Sequence, residues 1–191
     1  FWSWLWEIEN EIRNVAPLVY YHVWDNYPYP TFNRKWYLSN DVNVAISRLT
    51  HDILKNVAPE VQTEHIPHAI NDSVFSKMNS KDVDQFKKTH MIGYDESGNK
   101  RFTFFWNNRN ARRKQSGSLM FWFNDFLDRV GRDKATLIMH TEPKDPNGQD
   151  LVAIAEELGL DHNQSKLSTQ KISIGELSLL YNAIDCTVNI S

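Results

Sequence analysis

The chain has 191 residues, enough for one ordinary domain or two small ones, and 21 Lys and Arg against 24 Asp and Glu give a net charge of −3. With 24% charged and 41% hydrophobic residues, the composition is that of a globular protein and excludes a largely disordered chain. The mild acidity argues against broad nucleic-acid binding, and no apolar run approaches the roughly 20 residues that a membrane-spanning helix needs. The single cysteine, Cys186, excludes an internal disulfide and is typical of a reducing compartment, so we expect a cytoplasmic protein.

The first part of the chain predicts helices and strands in alternation. The predicted elements are a helix over 2–13, a strand over 18–21, a helix over 32–38, a strand over 42–47, a helix over 49–57 and a strand over 61–66. Trp2, Trp4 and Trp6 cannot share one face of a helix, so some of these rings are expected to be exposed. They either cover a further part of the same domain, which we favour, or touch membrane headgroups.

Apolar residues become sparse over 71–99, which we interpret as a connection between two units, with a helix over 80–88 that begins at Ser80 as N-cap. The second unit, over 100–191, alternates more regularly. Its predicted strands cover 101–106, 135–139, 166–169 and 186–190, and its predicted helices cover 119–130, 151–158 and 177–184. This alternation predicts a parallel α/β sheet, which binds ligands beyond the carboxyl ends of its strands.

The densest cluster of cations follows the first strand of this second unit. Arg109, Arg112, Arg113 and Lys114 lie within six residues, between the end of that strand and the next helix. An open α/β sheet binds anions at this position, and Arg offers phosphate oxygens a planar fork while Lys offers a point charge. From position alone, a phosphate site and a solvated basic loop are equally good interpretations.

The pattern Arg109-x-x-x-Arg113-Lys114 after a strand resembles the diphosphate-binding element of the retaining family 4 glycosyltransferases. Segments 137–141, 148–151, 157–160 and 176–185 resemble later parts of that family's donor domain, in the same order. Segments 19–22, 41–47 and 66–71 resemble the end of its acceptor domain, although Ala69 and Asn71 replace a Gly and an Asp at the crossing between domains.

The resemblance implies an α/β protein of the GT-B type, with two Rossmann-like parallel-sheet units of which the first is incomplete. Residues 1–70 would be the end of the acceptor-side domain, 71–99 the connection, and 100–191 the truncated nucleotide-sugar donor domain. A loop with paired glutamates follows the last of these strands in the family, and this sequence stops at Ser191. We therefore expect a fragment of a longer enzyme, weak or inactive on its own.

The resemblance also implies the reaction, which is transfer of a sugar with retention from a nucleotide-sugar donor to a glycan, lipid or protein acceptor. Arg109, Arg113 and Lys114 would bind the donor diphosphate, and His22 would be catalytic, in contact with the sugar or phosphate. The expected nucleotide-lining residues are His140, Lys171 and Ile172. The implied enzymes neutralise the leaving group with Arg, Lys and helix N-termini, so we expect no metal and no other cofactor.

Two motifs that suggest metal binding have simpler interpretations. Asp82 and Asp84 are acids expected in the first turn of a helix. His65 and His68 have no further Cys or His nearby, and a structural zinc needs four ligands.

Three alternatives to a glycosyltransferase stay open at this point. One is a non-catalytic module that binds a nucleotide sugar, and another is a different GT-B enzyme such as a nucleotide-sugar epimerase. The third is an α/β interaction domain without a phosphate site, in which loss of Arg109 would change no ligand affinity.

Overall fold

The structure is a computed structural model that describes residues 3–190. The chain divides into two compact units, Phe1–Ile70 and Asn71–Ser191. Each unit contains one fully parallel sheet, as the alternation of strands and helices predicts. Across residues 3–190, no helix is both long enough and apolar enough to cross a membrane.

The first unit has a three-stranded sheet in the order β1-β2-β3. Its strands are β1 (Val19–His22), β2 (Val42–Ala45) and β3 (Gln62–His65). Its helices are α1 (Ser3–Glu7), α2 (Glu9–Arg13), α3 (Arg34–Leu38) and α4 (Arg48–Val57), and a 3-10 turn over Thr31–Asn33 precedes α3. The Ser47 hydroxyl accepts from the backbone N–H of Thr50 at 3.1 Å, so the residue that follows β2 also starts α4.

The N-terminal segment differs from the prediction of one helix over 2–13, because it forms two short helices that are separated at Ile8. Trp6 is buried, with its ring centroid 5.1 Å from that of Trp36, whereas Trp4 is 54% exposed. Alternate rings thus point to different sides, as the helical period requires. Trp2, the third ring of the predicted row, lies outside the described residues.

The second unit has a four-stranded sheet in the order β6-β5-β4-β7. The strands are β4 (Phe102–Asn107), β5 (Ala135–His140), β6 (Ser165–Ser168) and β7 (Cys186–Thr187). The helices are α5 (Ser80–His90), α6 (Ser116–Val130), α7 (Leu151–Glu157) and α8 (Ile174–Ala183). Strands β4, β5 and β6 lie side by side in chain order, and the chain then returns so that β7 pairs with the other edge of β4. The boundary between β4 and β7 is therefore the topological switch point of the sheet.

Helices cover both faces of this sheet, which explains why its central strands, β4 and β5, are so apolar. On one face, Trp106, Leu137 and Met139 are buried against residues of α6 and α7. On the other face, Phe105 and Ile138 pack with residues of α5 and α8. Residues 71–99 therefore form part of the second unit and carry α5, which packs against α8.

Several boundaries in the second unit differ from the predicted ones, and three of them are instructive. The N-cap of α5 is Asn79 rather than Ser80, since the Asn79 side chain accepts from the backbone N–H of Asp82 at 3.0 Å; Asp84 then falls beyond the first turn. Helix α6 begins at Ser116, three residues before the apolar stripe. Strand β7 ends at Thr187 instead of 190, and Ser191 lies outside the described residues.

Candidate functional site

The loop between β4 and α6 carries the residues predicted to bind a diphosphate, and one of them, Arg109, forms an ion pair with Asp145. The Arg109 Nε donates to Asp145 Oδ2 at 2.7 Å and its Nη2 donates to Asp145 Oδ1 at 3.3 Å, so the carboxylate is bound along one edge of the guanidinium. The Arg109 side chain is 66% exposed, whereas that of Asp145 is 11% exposed. The hydrogen bond from Arg109 lowers the pKa of Asp145 to about 2, and Asp145 in turn raises the pKa of Arg109.

A buried asparagine fastens this loop to the loop between β5 and α7. Asn110 is fully buried, and its Nδ2 donates to the carbonyl oxygens of Pro143 at 3.2 Å and Gln149 at 2.6 Å. Its Oδ1 accepts from Ser116 Oγ at 2.6 Å. A Cβ on Gly148 would lie 2.2 Å from the Asn110 carbonyl oxygen, so the two loops touch through backbone atoms and only glycine fits there.

The remaining cations form a 3-10 turn over Arg112–Lys114, directly before α6. Arg113 is exposed and Lys114 is half-buried. The backbone N–H of Gly117, in the first turn of α6, donates to the side-chain oxygen Oε1 of Gln149 at 2.8 Å. An amide oxygen of the protein thus already caps the positive end of this helix, the end at which a helix binds anions.

Polar side chains of three strands meet in a row at the carboxyl edge of the sheet. Asn107 pairs in register with His140, and His140 pairs with Ser168. The His140 Nδ1 lies 2.9 Å from Ser168 Oγ, so the ring is tied to β6. His140 is partly buried at this edge, where the sequence pattern placed it.

A cavity of about 220 Å³ opens at the switch point between β4 and β7. Its polar lining includes Asn107, Asn108, Tyr181, Thr187 and Asn189, and Asn107 Nδ2 donates to the Tyr181 hydroxyl at 3.2 Å. Sequence reasoning missed this crevice, because alternation predicts a parallel sheet without its strand order. Tyr181 belongs to the helix predicted over 177–184, and its hydroxyl reaches this crevice.

Lys171 and Ile172, the predicted nucleotide-lining residues, precede α8. Lys171 is exposed, whereas Ile172 packs against the core between the sheet, α5 and α8. Ile172 also lines a cavity of about 180 Å³ together with Ser168, the residue bonded to His140. The two predicted residues therefore have different surroundings: Lys171 is in solvent, and Ile172 lines a cavity.

His22 lies at the end of β1 and is buried, with 3% of its surface exposed. Asn43 fixes its tautomer: Asn43 Nδ2 donates to the Tyr37 carbonyl at 3.2 Å, so Asn43 Oδ1 is the atom that faces His22 Nε2 at 2.9 Å, and Nε2 must carry the hydrogen. Burial lowers the pKa of His22 to about 4, against a smaller opposing effect of the Asn43 hydrogen bond. The ring is therefore uncharged at neutral pH, and its visible contacts join β1 to β2.

The other histidines do not assemble into a metal centre. His68 stacks on Tyr21, with ring centroids 5.4 Å apart. Among residues 3–190, no three or more His, Cys, Asp or Glu side chains lie together as a metal site would require.

No protein-family model matches the chain, and no curated protein sequence matches it significantly. Solved structures do. The chain superposes on trehalose-6-phosphate synthase from Burkholderia multivorans with a TM-score of 0.70 and 11% identity, over 96% of this chain and 48% of that one. The fold is that of GT-B glycosyltransferases.

Two further GT-B structures contain nucleotides. The complex of Anabaena HepE with UDP and glucose gives a TM-score of 0.65 at 15% identity, over 92% of this chain and 47% of that one. The catalytic domain of Arabidopsis thaliana starch synthase IV, bound to ADP and acarbose, gives a TM-score of 0.52 at 10% identity, over 81% of this chain and 35% of that one. The chain thus spans about half the length of the first two structures, and the predicted fold class is confirmed.

Proposed function

We propose that the second unit binds the nucleoside diphosphate of a nucleotide-sugar donor, in an enzyme that transfers the sugar to an acceptor with retention, as in the family 4 glycosyltransferases. The observation that carries this proposal is the position of Arg109. It follows β4 at the carboxyl edge of a doubly wound sheet, beside the residues that line the switch-point crevice. Similar folds have been crystallised with UDP or ADP, which supports a nucleotide as the ligand.

In the proposed reaction the bond between the sugar and the diphosphate breaks, and negative charge develops on the departing phosphate oxygen. Arg109 would stabilise this charge with the guanidinium N–H groups that Asp145 does not use, and Arg113 and Lys114 would add charge from the 3-10 turn. Loss of one such pre-positioned donor typically costs about 2.7–4 kcal/mol of transition-state stabilisation. We propose that these groups act without a metal ion or other cofactor.

The base and the sugar are assigned to further residues within the same proposal. We propose that His140 and Ile172 line the nucleotide site from β5 and the segment before α8, with Lys171 at its exposed edge. A catalytic role for His22 rests on the family resemblance alone. In that role it would contact the sugar as an uncharged ring, since burial keeps its pKa low.

Calorimetric titration with UDP, GDP and ADP tests the donor site. We expect one nucleotide to bind, and Arg109→Ala and Lys114→Ala each to weaken binding by tenfold or more. Arg129→Ala, which removes a 79% exposed arginine from α6, is the matched control and should bind like the unaltered chain. Equal affinities for Arg109→Ala and the control would refute the phosphate site and favour an interaction domain.

A second measurement separates transfer from binding. The chain is incubated with the sugar conjugate of the nucleotide that binds, with and without candidate glycan, lipid and protein acceptors. Glycosylated acceptor supports the transferase, and free nucleotide without glycosylated acceptor supports an epimerase-like enzyme. Binding with no turnover is expected both of the non-catalytic module and of a fragment that is inactive on its own, so a longer form of the protein is then assayed in the same way, and binding without turnover there supports the non-catalytic module. We propose a cytoplasmic location, which the single cysteine supports.

A further inference from the structure

We propose that Asp145 is a positioning residue for the donor site: its carboxylate holds the Arg109 guanidinium by one edge and turns the opposite edge toward the diphosphate. This inference rests on the proposed function. The carboxylate belongs to the loop between β5 and α7, which no sequence pattern connected with phosphate binding.

The hydrogen-bond geometry favours positioning over competition with the ligand. A guanidinium has five N–H groups in a rigid plane, and Asp145 takes Nε–H and one hydrogen of Nη2. The Nη1 group and the second Nη2 hydrogen remain on the edge that points away from the carboxylate, and this edge is itself a two-donor fork. Asp145 and a phosphate group can therefore bind Arg109 at the same time.

The carboxylate is held more firmly than the arginine that it binds. Asp145 Oδ1 also accepts from the backbone N–H of Asn147 at 2.8 Å, and the side chain is 11% exposed. The Arg112 backbone N–H donates to the Asn147 carbonyl at 3.0 Å, so the turn that contains Asp145 is bonded to the arginine loop itself. The exposed Arg109 side chain, with several rotatable bonds, thus has a fixed partner on a neighbouring fixed loop, which reduces the entropy lost when it binds an anion.

The test is a double-mutant cycle, with affinity for inorganic diphosphate measured by calorimetry because this probe requires no knowledge of the base. Asp145→Asn keeps an oxygen for the Asn147 N–H but loses the charge that orients Arg109. We expect it to weaken diphosphate binding about tenfold in the unaltered chain and not at all in Arg109→Ala. Asp150→Asn, which alters another carboxylate of the same loop and keeps a good N-cap for α7, should have no effect.

Each outcome has one meaning. A loss of affinity that is equal in both backgrounds would assign Asp145 a purely structural role and overturn the inference. Unchanged or tighter binding by Asp145→Asn would also overturn it, the latter by showing that the carboxylate competes with phosphate. If Arg109→Ala binds diphosphate as well as the unaltered chain, or if neither binds, the donor site itself fails and this inference fails with it.

Discussion

The uncharged state of His22 leads to a pH dependence of stability that can be calculated. The folded pKa is about 4, because the ring is buried, whereas a histidine in an unfolded chain titrates near 6.5. Between these values the unfolded chain binds one proton more than the folded chain, so the free energy of unfolding falls as the pH falls below 6.5. The loss from this group is about 2 kcal/mol at pH 5 and approaches about 3 kcal/mol near pH 4, and it is absent above pH 7.

Nuclear magnetic resonance measures both the cause and the consequence. The His22 ring signal, assigned by its disappearance in His22→Gln, should titrate near pH 4 in the folded protein. Urea unfolding of the first unit, followed through amide signals of β1 and β2, should then require less urea at pH 5 than at pH 7.5. In His22→Gln the difference between the two pH values should shrink by about 2 kcal/mol. A ring that titrates above pH 6, or a pH dependence that is the same in both proteins, would refute the reasoning.

Three further predictions concern the second unit, and urea unfolding tests the first two. Asn110→Leu should destabilise it by about 2–4 kcal/mol, because several buried hydrogen bonds lose their partner. Gly148→Ala should also destabilise it, because the new Cβ would lie 2.2 Å from a backbone oxygen. Gly175→Ala is the control: the nearest atom to its new Cβ is 4.0 Å away, so this variant should stabilise the unit by about 0.5 kcal/mol. Tyr181→Phe removes the hydroxyl that accepts from Asn107, and in calorimetry it should weaken nucleotide binding less than Arg109→Ala does. A larger effect than that of Arg109→Ala would show that the nucleotide binds mainly in the switch-point crevice.

Local sequence patterns predicted the type and order of the main elements, because hydrophobic spacing directly reflects which face of an element is buried. Two of the boundaries that were wrong depend on a single residue at the start of a helix. Helix α6 starts at Ser116 because Gln115 adopts a left-handed conformation, with φ of 50°, which ends the preceding 3-10 turn. Ser80 is as good a cap by type as Asn79, and only the observed hydrogen bond to Asp82 decides between them.

The candidate site was predictable only as far as its own loop. Arg109 and its neighbours stand out because four cations follow a strand, but Asp145 lies 36 residues away in an Asp-Pro-Asn-Gly sequence that indicates no more than a turn. Its contact with Arg109 depends on β4 and β5 being neighbours and on Asn110 joining their loops. The crevice depends in the same way on β7 returning to β4, which is a property of strand order.

The distribution of charge between the two loops supports an anion as the ligand of this edge. Residues 108–115 contain four cations and no acid, in a chain whose net charge is −3. Acids are available nearby, since residues 141–150 contain Glu142, Asp145 and Asp150, yet Asp150 pairs with Lys144 of its own loop at 3.2 Å. Only Asp145 of the three forms an ion pair with the basic loop among the described residues. A loop that served only to balance charge would bring more of these acids to its cations, so a single carboxylate on one edge of Arg109 favours the proposal that this loop binds an anion.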